Sequence, residues 1–293
     1  MAANMTLDEM VARHDDDPHA VAEALRALEP GGVADTDATR CSFLAAHVIG
    51  ELLGRWNEAF DVATRLAGSS RAPGALRHRA AAATLSGRAL DAWAIERTIG
   101  EATGASPQLA AVAVRLAVLQ YVVGSAPHDR LLPAFAATLD ALDALASMQP
   151  LGAALGAALN NTVSTLLDRT KHRVDDPGLG GAMRRGAEAA RRAWREAGTW
   201  TEHERADYLV ALVGNATGDW DGALAAAEAG LATIAANGSE DVDRAFLLLE
   251  AARAHRGAGR DAERDTARAA AFALAASFDE PSLKTWFDER AAA

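Results

Sequence analysis

The sequence predicts an all-α chain assembled from consecutive antiparallel helix pairs, and three observations carry that prediction. Half of the 293 residues are hydrophobic but only 5% are aromatic. Alanine supplies much of the apolar share, which suits closely approaching helices better than sheets wanting Val, Ile and Tyr. A small glycine-centred frame recurs, as GRWNEA at 54–59, GRALDA at 87–92 and GDWDGA at 218–223. Apolar residues on either side of it recur at helical spacing rather than in alternation.

From the N-terminus, residues 1–37 read as capping helices, with Asp17-Pro18 supplying an N-cap acceptor followed by proline at the first helical position. In 40–66, Phe43, Ala46, His47 and Gly50 precede Gly54, and Ala59, Ala63 and Leu66 follow it. Two helices therefore meet at Gly54, which takes left-handed dihedrals without a Cβ penalty. Trp56 is placed to cover the seam, and Ala59 leaves room for the first helix. GRALDA repeats the arrangement, with Leu76, Ala80 and Ala83 on the preceding helix. Residues 107–147 read as a helix up to Gly124 and another from about Asp129. Residues 151–169 form an apolar helix containing Asn160 and Asn161, and its partner at 181–197 follows the loop TKHRVDDPGLG, which is long for this architecture. GDWDGA then leads into Ala227, Gly230 and Leu231. A last pair spans 242–277 around Gly257 and Gly259, where Ala262, Thr266 and Ala269 fit the frame if Gly257 is its glycine. Residues 278–293 close the chain with a helix opened by Pro281 that lays Trp286 and Phe287 over the last repeat, as the terminal unit of a solenoid must shield a surface that inner units bury.

The 33-residue step from Gly54 to Gly87, the aromatic two places after the glycine and the small residues beyond it resemble the tetratricopeptide repeat, a paired-helix unit of about 34 residues. The resemblance implies a right-handed α-solenoid of about six antiparallel helix pairs, forming one domain over 1–293 with repeats at 38–277. In that family the first helix of each pair lines a concave face that holds an extended peptide or a helix. Carried over through the turn glycines, this places Arg77 and Thr84 in the groove, then Arg205, Tyr208 and Asn215, and from the looser middle units Arg115, Tyr121, Asn160 and Ser164. Asparagine bonds the backbone of an extended chain through both donor and acceptor, and arginine grips carboxylates in a bidentate fork, so the expected partner is a protein or peptide with an acidic or C-terminal segment. The sequence lacks the Lys/Asn set of the family's chaperone-tail binders, so that specificity is not implied.

Other classes are disfavoured. Forty acidic against 29 basic residues leave a net charge of −11, which opposes attraction to nucleic acid or an anionic membrane. The basic helix MRRGAEAARRAWREAG interleaves Glu188 and Glu196 with its arginines, as a solvated face does. The most apolar stretch, 110–124, is interrupted by Arg115 and Gln120 and is too short to span a bilayer. Cys41 is the sole cysteine, which excludes an internal disulfide and, with no leader legible at the N-terminus, points to the cytoplasm, here of a bacterium. Hydrolase, zincin and P-loop motifs are missing, and GLGGAMRRG at 178–186 has Met183 where a dinucleotide fingerprint needs glycine, so it reads as a connector. HDDDPH, His14 to His19, could offer ligands to a divalent ion, but its aspartates before a helix-opening proline are what an N-cap and the helix dipole select. His47 reads as a hydrogen-bonded core histidine. The expectation is a non-catalytic scaffold without metal or cofactor. The alternatives are a regulator that senses a small signal or peptide, as alanine-rich arrays do in large bacterial transcription activators, and an enzyme on a helical-repeat scaffold.

Overall fold

The computed structural model describes residues 5–29 and 33–292; residues 1–4 and 30–32 of the N-terminal cap, and Ala293 of the C-terminal one, lie outside the described residues. Those described form helices joined by short turns, with no strand among them. In order these are α1 (Leu7–Arg13), α2 (Pro18–Ala27), α3 (Ala38–Leu44) continued by a π-helix (Ala45–Leu52), α4 (Trp56–Ala67), α5 (Pro73–Leu85), α6 (Ala89–Thr103), α7 (Pro107–Val122) and α8 (His128–Asp143). Then follow α9 (Gly152–Arg169), α10 (Pro177–Ala197), α11 (Trp200–Ala216), α12 (Trp220–Asn237), α13 (Asp241–Gly257), α14 (Asp261–Ala275) and α15 (Pro281–Ala292). The chain divides within α9 into two compact units, Met1–Ala158 and Leu159–Ala293.

The glycine frame is a repeated backbone device. Gly54, Gly87, Gly218 and Gly259 have φ of 69°, 79°, 75° and 71°, a region that glycine enters without Cβ strain. In each case the second helix begins two residues later, at Trp56, Ala89, Trp220 and Asp261. The residue after the glycine donates its N–H back to the first helix at 2.9 Å in all four: Arg88 to Ala83, Asp219 to Gly214, Arg260 to His255 and Arg55 to Ile49. Three of these bonds span five residues, the closure of a Schellman turn. The first spans six. One extra residue precedes Gly54, and the helix absorbs it by widening into the π-helix, so the turn keeps its shape.

Two expectations are corrected here. The frame glycine of the last pair is Gly259, not Gly257. Gly257 is instead the seat of the Trp220 indole: a Cβ built there would stand 2.3 Å from Trp220 Cδ2. With the frame set on Gly259, Arg264 stands where Ala59, Ala92 and Ala223 stand in the other copies, ion-paired with Asp261 and Asp265. The glycine run at 178–186 is not a loop either, because α10 begins at Pro177, capped by Asp176 accepting from the N–H groups of Gly178 and Leu179. The connector is therefore 170–176, and Gly180 serves packing: a Cβ there would meet Thr217 Cγ2 at 3.2 Å.

In the first unit, Met10, Val21 and Leu25 of the N-terminal helices pack on Cys41, Leu44, Val48, Ile49 and Ala63. Burial pushes the Cys41 thiol up to about 11, so it is an inert packing group. Gly50 lets Trp56 lie flat on the π-helix, where a Cβ would come within 2.3 Å of its ring. Trp56 meets Tyr121 edge to face at 5.8 Å. Tyr121 was placed in the groove by the repeat register, but it is a core residue, 2% exposed, because the turn after α7 lacks the frame glycine and α7 presents this ring inward with Ala46, Ala81 and Ala117.

Tyr121 Oη lies 2.6 Å from Nδ1 of the buried His78. Burial, then the charge of Arg77, holds the His78 imidazole well below its ordinary pKa. An unfolded chain takes up the proton near pH 6.5 while the folded chain resists it. Stability conferred by keeping His78 neutral is thus present above about pH 6.5 and lost as pH falls below it. Urea unfolding between pH 5 and 7.5 should show this loss in the native chain and a shallower one in His78→Gln. Tyr121→Phe should cost about 1–3 kcal/mol at pH 7.5, the penalty of an orphaned buried polar group.

In the second unit, Ala211, Ala227, Leu247 and Ala251 form one seam. Gly214 lets α12 approach so closely that a Cβ would lie 2.9 Å from that of Ala223. The closing helix α15 buries Phe287 completely, edge to face with Phe246, Phe272 and Phe278 at 5.5, 5.3 and 5.8 Å.

Candidate functional site

Four of the sequence-selected positions come together in the second unit. Asn160 and Ser164 of α9 and Arg205 and Tyr208 of α11 line a cavity of about 430 Å³, walled on another side by Trp286 of α15. A fifth, Asn215, lines a cavity of about 580 Å³. The two cavities share His172, Leu212 and Arg290.

The larger cavity is cationic in an acidic chain: Lys171, Arg173, Arg253, Arg256 and Arg290 line it against Asp175 and Glu250. Its floor is a polar network. Glu250, 1% exposed, accepts from Arg253 Nη1 at 2.6 Å, from Arg290 Nη2 at 3.2 Å and from Asn215 Nδ2 at 2.9 Å. Arg253 also donates to the Arg290 carbonyl oxygen. Arg290 Nη1 lies 2.7 Å from His172 Nε2, which makes that nitrogen the acceptor and leaves the ring proton on Nδ1. Burial, then the Arg290 charge, keeps the imidazole pKa below its ordinary value, so His172 is a neutral acceptor at pH 7. Three polar atoms of this network are buried without a partner: His172 Nδ1, Asn215 Oδ1 and Arg290 Nε.

The connector at the cavity mouth is strained. Lys171 and His172 take φ of 51° and 57°, left-handed values that non-glycine residues adopt at a cost of about 1–3 kcal/mol each. The strain is held by the bond from His172 N–H to Leu167 carbonyl at 2.8 Å and by that from Val174 N–H to Ala216 carbonyl at 3.0 Å, which pins the connector to the end of α11.

The candidates in the first unit do not converge in this way. Arg77 is half-buried and donates to the Ala154 carbonyl. Thr84 is exposed and its hydroxyl bonds back to Ala80 at 2.9 Å. Arg115 is exposed, and Tyr121 lies in the core. In the second unit Arg205 is exposed but paired with Asp243 at 3.0 Å. Its neighbour Glu204, completely buried, escapes sequence reasoning, although its spacing to Tyr208 and Ala211 places it on the inward face of α11. Burial, then the neighbouring Asp243, pushes the Glu204 carboxyl above the usual carboxylate range. On the basic helix α10, Arg191 turns inward to Asp207 at 3.3 Å, an acid 4% exposed.

No family model matches the chain, and no curated protein matches it. Among solved structures, a tetratricopeptide repeat protein from Parabacteroides merdae ATCC 43184 aligns over 97% of this chain and 98% of that chain, at 14% identity and a TM-score of 0.29. The TPR-like reading of this all-helical chain is carried by its own repeated turns: four left-handed glycines, each two residues before a helix, each followed by a residue whose N–H bonds back to the first helix, over five residues in three turns and six in the fourth.

Proposed function

We propose that the chain is a non-catalytic scaffold that binds a protein or peptide through a carboxylate-bearing segment, either a C-terminus or acidic side chains. The observation that supports it is the cavity in the second unit, where five cationic side chains face two acidic ones within a chain of net charge −11. At its exposed rim Arg256 suits bidentate capture of a carboxylate, and Arg173, paired with the exposed Asp175 at 3.3 Å, is placed to exchange that partner for a ligand carboxylate. The buried Asn215 Oδ1 suits the N–H of an extended backbone, and in the smaller cavity that shares His172, Leu212 and Arg290 with it, Trp286, 48% exposed, offers an apolar wall. The floor does not favour catalysis: Glu250 is committed to three donors and His172 Nε2 to Arg290, so neither is available to move a proton. The net negative charge and the inward-turned arginine of α10 argue against a nucleic-acid partner.

Fluorescence anisotropy tests this with labelled peptides of one sequence, ending in a free carboxylate or an amide, with acidic or neutral side chains. The free-acid and acidic forms should bind more tightly, weaken with added salt, and lose about tenfold or more in Arg256→Ala and Arg173→Ala, the worth of a charge-assisted hydrogen bond. Equal affinity for acid and amide forms, unchanged in both variants, contradicts the proposal.

The cavity volumes of about 580 and 430 Å³ favour a second reading, a regulator sensing a small anionic ligand, because small-molecule sites fall in the range of about 300–1,000 Å³. Small carboxylates or phosphates that raise the melting temperature while every peptide fails to bind would select it.

A further inference from the structure

Three side chains far apart in the sequence meet in the first unit, where the turn between α1 and α2 lies against the π-helix. His14 and Asp15 are in that turn, and His47 is in the π-helix Ala45–Leu52. One Asp15 carboxylate oxygen stands 3.3 Å from His14 Nε2 and the other 3.2 Å from His47 Nε2. All the candidate ligand atoms lie within 4.8 Å of one another. A tetrahedral zinc ion with bonds of about 2.0–2.1 Å has ligand-to-ligand edges of about 3.3–3.4 Å; the two nitrogen–oxygen spacings are of that size, each to a different Asp15 oxygen, and the set closes to a shell from separations of at most 4.8 Å.

The remaining ring nitrogens are held as metal-bound histidines hold theirs. His47 Nδ1 is 2.6 Å from Glu51 Oε2, and His14 Nδ1 is 2.6 Å from the Val11 carbonyl oxygen. A carboxylate and a backbone carbonyl are the usual outer partners that fix the tautomer and orient the ring. With both Nδ1 atoms so engaged, each Nε2 faces the Asp15 carboxylate, and the hydrogen bond from His47 Nε2 to Asp15 Oδ1 is the contact that a bound cation would replace. Phe43 stacks on the His47 ring at 5.3 Å and 8°, which fixes its plane. A π-helix is a rare element that is frequently found at functional sites. Asp15 is 70% exposed on its side chain, which leaves an entry path and room for water in a fourth position.

We propose that His14, Asp15 and His47 bind a divalent first-row transition ion of the zinc class, with solvent completing the shell. Two imidazoles and a carboxylate suit such ions better than calcium or magnesium, which take oxygen ligands. The local run HDDDPH is not the site, since His14 is joined by His47 from 33 residues downstream.

The full chain, purified without a polyhistidine tag and stripped with chelator, is titrated with Zn²⁺ by calorimetry and with Co²⁺ by visible absorption. Stoichiometric binding is expected, with the d–d bands of a four- or five-coordinate ion and a melting temperature that rises with Zn²⁺. His14→Ala and Asp15→Asn, both in the turn, should abolish all three signals. Glu51→Gln should retain binding but weaken it about 10–100-fold, and His19→Ala and Asp16→Asn should leave it unchanged. Absence of stoichiometric binding, or binding that survives His14→Ala and Asp15→Asn, overturns the proposal. Loss in His19→Ala or Asp16→Asn instead would put the ion on the local run and overturn it equally.

Discussion

Replacing Phe287 with alanine lowers the unfolding free energy by about 3–5 kcal/mol, as measured by urea denaturation. The side chain has no exposed surface and three aromatic rings meet it edge to face within 6 Å, each contact adding to the apolar area withdrawn from water. The surrounding helices are held by their own seams and cannot collapse into the space the ring leaves, so the cavity term adds to the lost transfer energy. The same substitution reaches the proposed binding site, because Arg290 lies three residues further along α15. Peptide affinity should therefore fall in Phe287→Ala well before the whole chain unfolds. A loss below about 1 kcal/mol would mean that α15 does not close the last repeat.

Glu250→Gln carries the second large effect, also about 3–5 kcal/mol, the cost of removing one partner of a buried ion-pair network. Glu250 is 1% exposed and Arg290 9%. Without the carboxylate, Arg290 and Arg253 keep their charges in a site that water reaches poorly. The physical contrast is with Arg256→Ala at the exposed rim, where stability should stay within about 0.5 kcal/mol while peptide affinity falls. Equal stability losses in the two variants, again by urea denaturation, would show that the network does not bear the charge balance assigned to it.

The turn glycines are legible in the sequence because their requirement is local: a left-handed residue two places before a helix start selects glycine, whatever lies elsewhere. Asp17-Pro18 and Pro281 are legible for the same reason, as helix openings written in two residues. The π-helix is not. An inserted residue leaves the apolar spacing around His47 nearly unchanged, and the backbone bonds from Leu53 to Val48 and from Arg55 to Ile49 reveal it. Gly257 misleads because a glycine under an indole and a glycine in a turn look alike two positions apart. Among the expected groove positions, Asn160, Ser164, Arg205 and Tyr208 line one cavity because helix face alone sets where they sit, whereas Tyr121 lies in the core because the register is carried through a turn that lacks the frame. The floor of the larger cavity has no local signal at all: His172 and Arg290, 118 residues apart, share a hydrogen bond that only the folded second unit creates.

Hydrogen–deuterium exchange in the presence and absence of a free-acid peptide tests the central claim most directly, because it locates the ligand without presuming its identity. Protection should appear at 170–176, at the ends of α11 and α13, and in α15, and it should vanish when the peptide carboxylates are amidated. Peptide binding with protection confined to α1–α8, or with the connector and α15 exchanging unchanged, would contradict a carboxylate-receiving cavity in the second unit.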